Sequence, residues 1–144
     1  MKIALITGAS QGIGSAIAQE LNQKKIKVIL VSRSKAKLKK IQTSLKFPKN
    51  SIIISKDLRS LSACNSIGAK IKKLNYLINV AGATKGGSFL NLKDNVWDDG
   101  FNLKFKAAVR LCRNFWKTLR RNKGKVINIG GGAARNPSHT FMIG

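Results

Sequence analysis

Five short apolar runs divide this chain, and all but the last lead into a longer segment of helical character. They are KIALIT (Lys2–Thr7), KVILV (Lys27–Val31), SIIIS (Ser51–Ser55), YLINV (Tyr76–Val80) and KVINIG (Lys125–Gly130). The runs are nearly continuous in Val, Ile and Leu instead of alternating with polar residues. Such a strand has both faces covered, as in a parallel sheet with helices on either side. Parallel neighbours need crossovers, and the intervening segments supply them. Helical patterns run from Gly12 to about Lys24, Ser34 to Lys46, Ser60 to Lys73, and from near Asp94 to near Asn122. Ile13, Ala16, Ile17 and Leu21 share one face of the first, and Leu38, Ile41 and Leu45 point inward from the second. In the last, Trp97, Phe101, Phe105, Ala108, Cys112, Phe115 and Leu119 recur every three or four residues. The pattern predicts a doubly wound, Rossmann-like α/β fold of five parallel strands, with helices on both faces and right-handed crossovers. No repeat, low-complexity stretch or internal boundary divides residues 1–144, so a single domain is expected.

Where the first strand meets the first helix, the chain reads TGASQGIG (Thr7–Gly14). Gly8, Gly12 and Gly14 let the backbone turn sharply and approach a pyrophosphate, while the helix N-terminus offers free N–H groups and positive potential. A glycine triplet alone marks only a tight turn, but between strand and helix it has the context of a dinucleotide site. Ser10, Gln11 and Ile13 are the other candidate contacts in this loop. NAD sites of this kind carry a carboxylate about 20 residues further on, for the ribose hydroxyls. Here the stretch is VSRSKAK, and no Asp or Glu occurs from Asn22 to Lys56. Arg33 suits a 2′-phosphate, with Ser32 and Ser34 as hydroxyl donors. NADP(H) is the expected cofactor and NAD the less favoured one; the alternative is that Arg33 is one more surface cation.

These residues, with others in order after them, resemble the short-chain dehydrogenase/reductase family. TGASQGIG is similar to its cofactor loop. Asp57 in KDL, followed by Leu58, resembles its aspartate after the third strand, which contacts the adenine. NVAG (Asn79–Gly82) is similar to the family segment that flanks the cofactor, through Asn79, Ala81 and Gly82. Asn102 matches the helical asparagine of its proton relay, and GKVINI (Gly124–Ile129) its fifth strand. Singly, Asp57 also suits a helix start, Asn79 a strand-end turn and Asn102 a polar helix position; the ordered set carries the resemblance. It implies hydride transfer between a nicotinamide and a small carbonyl or alcohol substrate. It also implies a serine after the fifth strand, a tyrosine about a dozen residues later, and a lysine four beyond that. Aligned on VINI, the serine position falls at Gly130 or Gly131, the tyrosine position at or near Gly144, and the lysine position past it. Tyr76 is the sole tyrosine and lies in the fourth strand. His139 is a loop histidine that nothing orients. Of the relay, Asn102 alone is recognisable. The resemblance therefore covers the family's N-terminal portion, apparently truncated before the tyrosine–lysine pair. It predicts an uncovered fifth strand, and self-association through the helix at 94–122.

Charge opens other readings. The chain has 28 Lys+Arg against 5 Asp+Glu, a formal +23, which raises polyanion binding as an alternative. The cations are spread over every helix and most loops, without the interleaved aromatics of a base-stacking platform. Phosphorylated ligands are expected, nucleic acid is not. A third possibility is a homologue that holds a dinucleotide without turning anything over. Cys64 and Cys112 fall on separate helices without C-x-x-C spacing, and read as core thiols in a reducing compartment, not as a metal site. No leader pattern follows Met1 and no apolar stretch approaches membrane-helix length, so the cytoplasm is the expected location.

Overall fold

A computed structural model describes residues 1–143; the tyrosine position counted to Gly144 lies outside them. The strands are β1 (Ile3–Thr7), β2 (Lys27–Ser32), β3 (Ser51–Ser55), β4 (Tyr76–Asn79) and β5 (Lys125–Asn128). They form one parallel sheet in the order β3-β2-β1-β4-β5, with Ile3 opposite Lys27 and Ala4 opposite Tyr76. The chain winds outward from β1 through β2 and β3, then returns to β1's other side. That reversal is a topological switch point, and open α/β sheets bind ligands beyond the strand ends there.

The crossovers are α1 (Gly12–Gln23), α2 (Lys35–Ser44), α3 (Leu61–Lys70) and the pair α4 (Asp94–Phe101) and α5 (Ala107–Arg121), joined by a π turn at Asn102–Lys106. Ser34 caps α2 by accepting from the Lys37 N–H at 3.3 Å, and Ser60 caps α3 by accepting from that of Ala63 at 3.3 Å. Alternate strand residues face opposite layers. Leu5, Val31 and Leu77 pack with Ile67, Leu111 and Phe115 of α3 and α5. Ile6, Leu30 and Ile78 pack with Ala18 and Leu38 of α1 and α2. Two cores thus sandwich the sheet, as the apolar runs predicted. Among the described residues, no helix is long and apolar enough to cross a membrane.

Three expectations need correction. Burial on both faces holds for β1, β2 and β4 but not for the outer strands, of which β5 is uncovered as the family resemblance predicted. All four β5 residues are exposed, and on β3 Ile52 is 41% exposed. An outermost strand has a neighbour on one side only, and its apolar composition does not supply a second. In α1, Ile13 and Ala16 face solvent, and Gly14, Ala18 and Asn22 face inward. Ile17 and Leu21 pack against the core partly buried, as predicted, while the fully buried positions are mostly small. Asn22 is the exception: its amide accepts from the Phe47 N–H at 2.8 Å and donates to the Phe47 carbonyl at 3.0 Å. The long helix carries two apolar sides. Leu103, Ala107, Leu111, Phe115 and Leu119 face the core, whereas Phe101, Phe105, Val109 and Trp116 are exposed. The wider π turn shifts the face presented after Phe101.

Candidate functional site

A cleft of about 410 Å³ opens at the C-terminal ends of β1, β2 and β4, a volume typical of small-molecule sites. The glycine turn forms its floor. Gly8 and Gly12 have φ of +65° and +55°, the left-handed region that favours glycine. A Cβ on Gly14 would lie 2.3 Å from the Gly8 carbonyl oxygen, and one on Gly8 would lie 3.0 Å from the Ala81 nitrogen. Backbone therefore packs directly on backbone. Thr7 Oγ1 locks this contact by accepting from the Val80 and Ala81 N–H groups, both at 3.0 Å. Gln11 occupies the N-cap position of α1 but makes no side-chain cap bond. The first-turn N–H groups are left for a ligand.

The facing wall is polar and cationic. Ser32, Arg33 and Ser34 come from the end of β2, Lys37 from the first turn of α2, and Lys56 from the end of β3. Ser32 Oγ is buried without a hydrogen-bond partner. Lys37 Nζ reaches across to Gln11 Oε1 at 3.2 Å. Among the described residues, no carboxylate lines the cleft. Three cations and a helix N-terminus give it a positive potential suited to phosphate.

The structure brings most of the sequence-predicted positions together here. The loop residues Gly8 and Ser10 to Gly14, the run Ser32 to Ser34, and Leu58, Ala81 and Gly82 all line the cleft. Lys37 and Lys56 were not foreseen; the available signal was that Lys37 stands three residues past a serine able to cap α2. Three predicted residues lie outside. Asp57 lines an adjoining cavity of about 440 Å³ with Arg33, Arg59 and Asp99. Its Oδ1 accepts from the Arg59 N–H at 3.0 Å and from Arg59 Nη1 at 3.3 Å, while Arg59 also pairs with Asp99. Asn79 donates to Asn128 Oδ1 at 2.8 Å, tying β4 to β5. Asn102 sits in the π turn, where its Oδ1 accepts from Arg110 Nη2 at 3.3 Å. Arg110 Nη1 in turn donates to the Arg59 carbonyl at 2.8 Å. Gly130 and Gly131 follow β5 in exposed chain, and a Cβ at Gly130 would meet nothing within 4 Å. Cys64 and Cys112 lie on the α3 and α5 side, and burial pushes both thiols up from their ordinary value.

A model of the short chain dehydrogenase family matches residues 2–143. The chain belongs to the short-chain dehydrogenase family. It is 37% identical over 139 residues to a 3-oxoacyl-[acyl-carrier-protein] reductase of Rickettsia typhi, covering 94% of this chain and 57% of the relative. It is 32% identical over 142 residues to a 2,3-dihydro-2,3-dihydroxybenzoate dehydrogenase of Bacillus subtilis, covering 94% and 54%. This short-chain dehydrogenase chain thus spans little more than half the length of either. Among solved structures, a short-chain dehydrogenase from Streptomyces avermitilis superposes with a TM-score of 0.91 at 26% identity, over 99% of this chain and 53% of that one. A metagenomic short-chain oxidoreductase in complex with NADP does so with a TM-score of 0.91 at 29% identity, over 99% and 67%.

Proposed function

We propose that residues 1–144 form one nucleotide-binding unit that holds NADP(H) in this cleft. The reaction it serves is hydride transfer between the nicotinamide and a small carbonyl or alcohol. The observation that carries the assignment is the rim at Ser32–Arg33–Ser34: cationic, free of carboxylates, and including a buried hydroxyl without a partner. Gly8, Gly12 and Gly14, with Ser10, Gln11 and Ile13, shape the turn where the N–H groups of α1 meet the pyrophosphate. Arg33 and Ser34 receive the 2′-phosphate. Leu58 and Asp57 flank the adenine, and Asn79, Ala81 and Gly82 flank the rest of the cofactor. When bound, the nicotinamide supplies or accepts the hydride. The chain's own residues orient it and exclude water, and Asn102 serves the proton relay. The metagenomic relative in complex with NADP supports this choice of cofactor.

Titration with NADPH and NADH tests the assignment. The expected result is tighter NADPH binding, with the preference reduced about tenfold or more in Arg33→Ala. Equal affinities, unchanged by that substitution, would sink it.

Dinucleotide binding without turnover is a second reading, favoured by the glycines at 130 and 131 and by Arg110's hold on Asn102 Oδ1. Consumption of NADPH with a panel of ketones, aldehydes and quinones separates the two. The exposed side of α4, the π turn and α5, with Phe101, Phe105, Val109 and Trp116, supports the expected contact with a second copy.

A further inference from the structure

We propose that Lys37 is a specificity-determining residue, a second ligand for the ribose 2′-phosphate that works opposite Arg33. The proposal rests on the NADP(H) reading above and extends it to a residue for which the sequence had suggested no role. Lys37 stands on the first turn of α2, where its backbone N–H is capped by Ser34. Its side chain reaches from α2 to Gln11 Oε1, 3.2 Å away at the start of α1, in a solvent-exposed bond between two residues that both line the cleft. A surface lysine without a task normally extends into water. This one lines the cleft and bonds to a residue 26 positions away in sequence.

The partner that holds it is neutral. Gln11 offers an amide oxygen, and among the described residues no carboxylate lines the cleft to neutralise the cation. Among the described residues, the ion pairs are Lys24 with Glu20, and Arg59 with Asp57 and Asp99; Arg33 and Lys37 belong to none of them. Transfer of Lys37 Nζ from an amide oxygen to a phosphate dianion replaces a neutral hydrogen bond with a charge-assisted one. Arg33, on the chain leaving β2, and Lys37, one turn into α2, then hold the phosphate between them, with the Ser34 hydroxyl beside both. A dinucleotide without that phosphate gives Lys37 no reason to leave Gln11. Lys37 therefore acts on the choice between the two cofactors and little on the affinity they share.

The test measures dissociation constants of NADPH, NADH, 2′,5′-ADP and 5′-AMP for the wild-type chain, Lys37→Met and Lys37→Arg, with melting temperatures to verify folding. Lys37→Met should weaken NADPH and 2′,5′-ADP about tenfold while moving NADH and 5′-AMP by less than about twofold. Lys37→Arg should recover most of the loss, because it keeps the charge within reach. High salt should shrink the difference between wild type and Lys37→Met. Equal weakening of NADPH and NADH would assign Lys37 to the pyrophosphate and overturn the proposal. No change in any affinity would make it a solvated cation, with the same consequence. A wild-type chain that binds neither dinucleotide, or binds NADPH no better than NADH, would overturn the cofactor reading beneath and the proposal with it.

Discussion

β1 and β5 are built from the same kind of residue, IALIT and KVIN, and their surroundings are opposite. Between β2 and β4, the side chains of Ala4, Leu5 and Ile6 are wholly buried. β5 has β4 on one side, and Val126 and Ile127 are 36% and 43% exposed. The contrast continues past the strand ends. The exit from β1 is the glycine turn, where backbone meets backbone and one missing Cβ leaves room for a carbonyl oxygen. The exit from β5 is also glycine, but Gly130 has open space around it. Apolar composition therefore marks both as strands, while the place in the strand order decides how deeply each is buried. Likewise, a glycine is a structural requirement at one exit and an available position at the other.

The largest expected effect tests that contrast directly. Leu5→Ala should destabilise the fold by about 2–5 kcal/mol, through lost burial and the cavity left behind. Ile127→Ala should cost less than about 1 kcal/mol, because its side chain is already half in water. Urea unfolding of the two variants checks both. Similar losses would mean that β5 is covered in solution, for example by a second copy.

A somewhat smaller loss is expected between α1 and the loop before β3. Asn22→Ala removes both bonds to Phe47 and leaves the half-buried Phe47 N–H without that partner, while the Phe47 carbonyl keeps the Asn50 N–H at 2.9 Å, at a cost of about 1–2 kcal/mol. Asn22 also shows where sequence reading stops. Ile13, Ala16, Ile17 and Leu21 gave α1 its period, and Ile17 and Leu21 do pack against the core, yet the fully buried positions are Gly14, Ala18 and Asn22. Hydrophobicity marks which segments are helical. It does not show that close packing against a glycine turn calls for small residues, or that a buried amide will clamp a loop 25 residues away. The glycine turn itself was legible, because its spacing encodes a backbone path. So was the bare rim at Arg33, because a missing carboxylate is visible in any sequence. The long helix was legible as a helix. Its two sides were separated only by the π turn, which shifts register without a distinctive residue pattern. Lys37 was hidden for another reason: its role depends on Gln11, and nothing local links the two.

A weaker effect is expected at high pH, from thiols under both parts of the sheet. Cys64 is fully buried, and Cys112 lies half-buried beside Asn79, where β4 is tied to β5. Burial raises both above the ordinary value of 9.0. A raised folded value means that the unfolded chain loses its thiol protons first. The stability these groups contribute is thus fully present below the unfolded value and lost as pH rises through the folded ones. The melting temperature should fall as pH rises above about 9, and Cys64→Ala should reduce that slope. A slope identical in the variant would exclude Cys64 as its source.

The smallest effect is expected where the family resemblance asks for a serine. Gly130→Ser adds a side chain to exposed backbone, with nothing within 4 Å of the new Cβ. Stability should stay within about 0.5 kcal/mol of wild type, and NADPH affinity should not move, because Gly130 lies outside the cleft lining. The same substitution at the other exit sharpens the point. In Gly14→Ser the Cβ would fall 2.3 Å from the Gly8 carbonyl oxygen. Backbone on both sides cannot yield cheaply, so a cost of about 1–3 kcal/mol or more is expected, together with loss of NADPH binding. A tolerated Gly14→Ser would remove the reason for placing the pyrophosphate against this turn. A destabilising Gly130→Ser would show that the exit from β5 is packed in solution as tightly as the exit from β1.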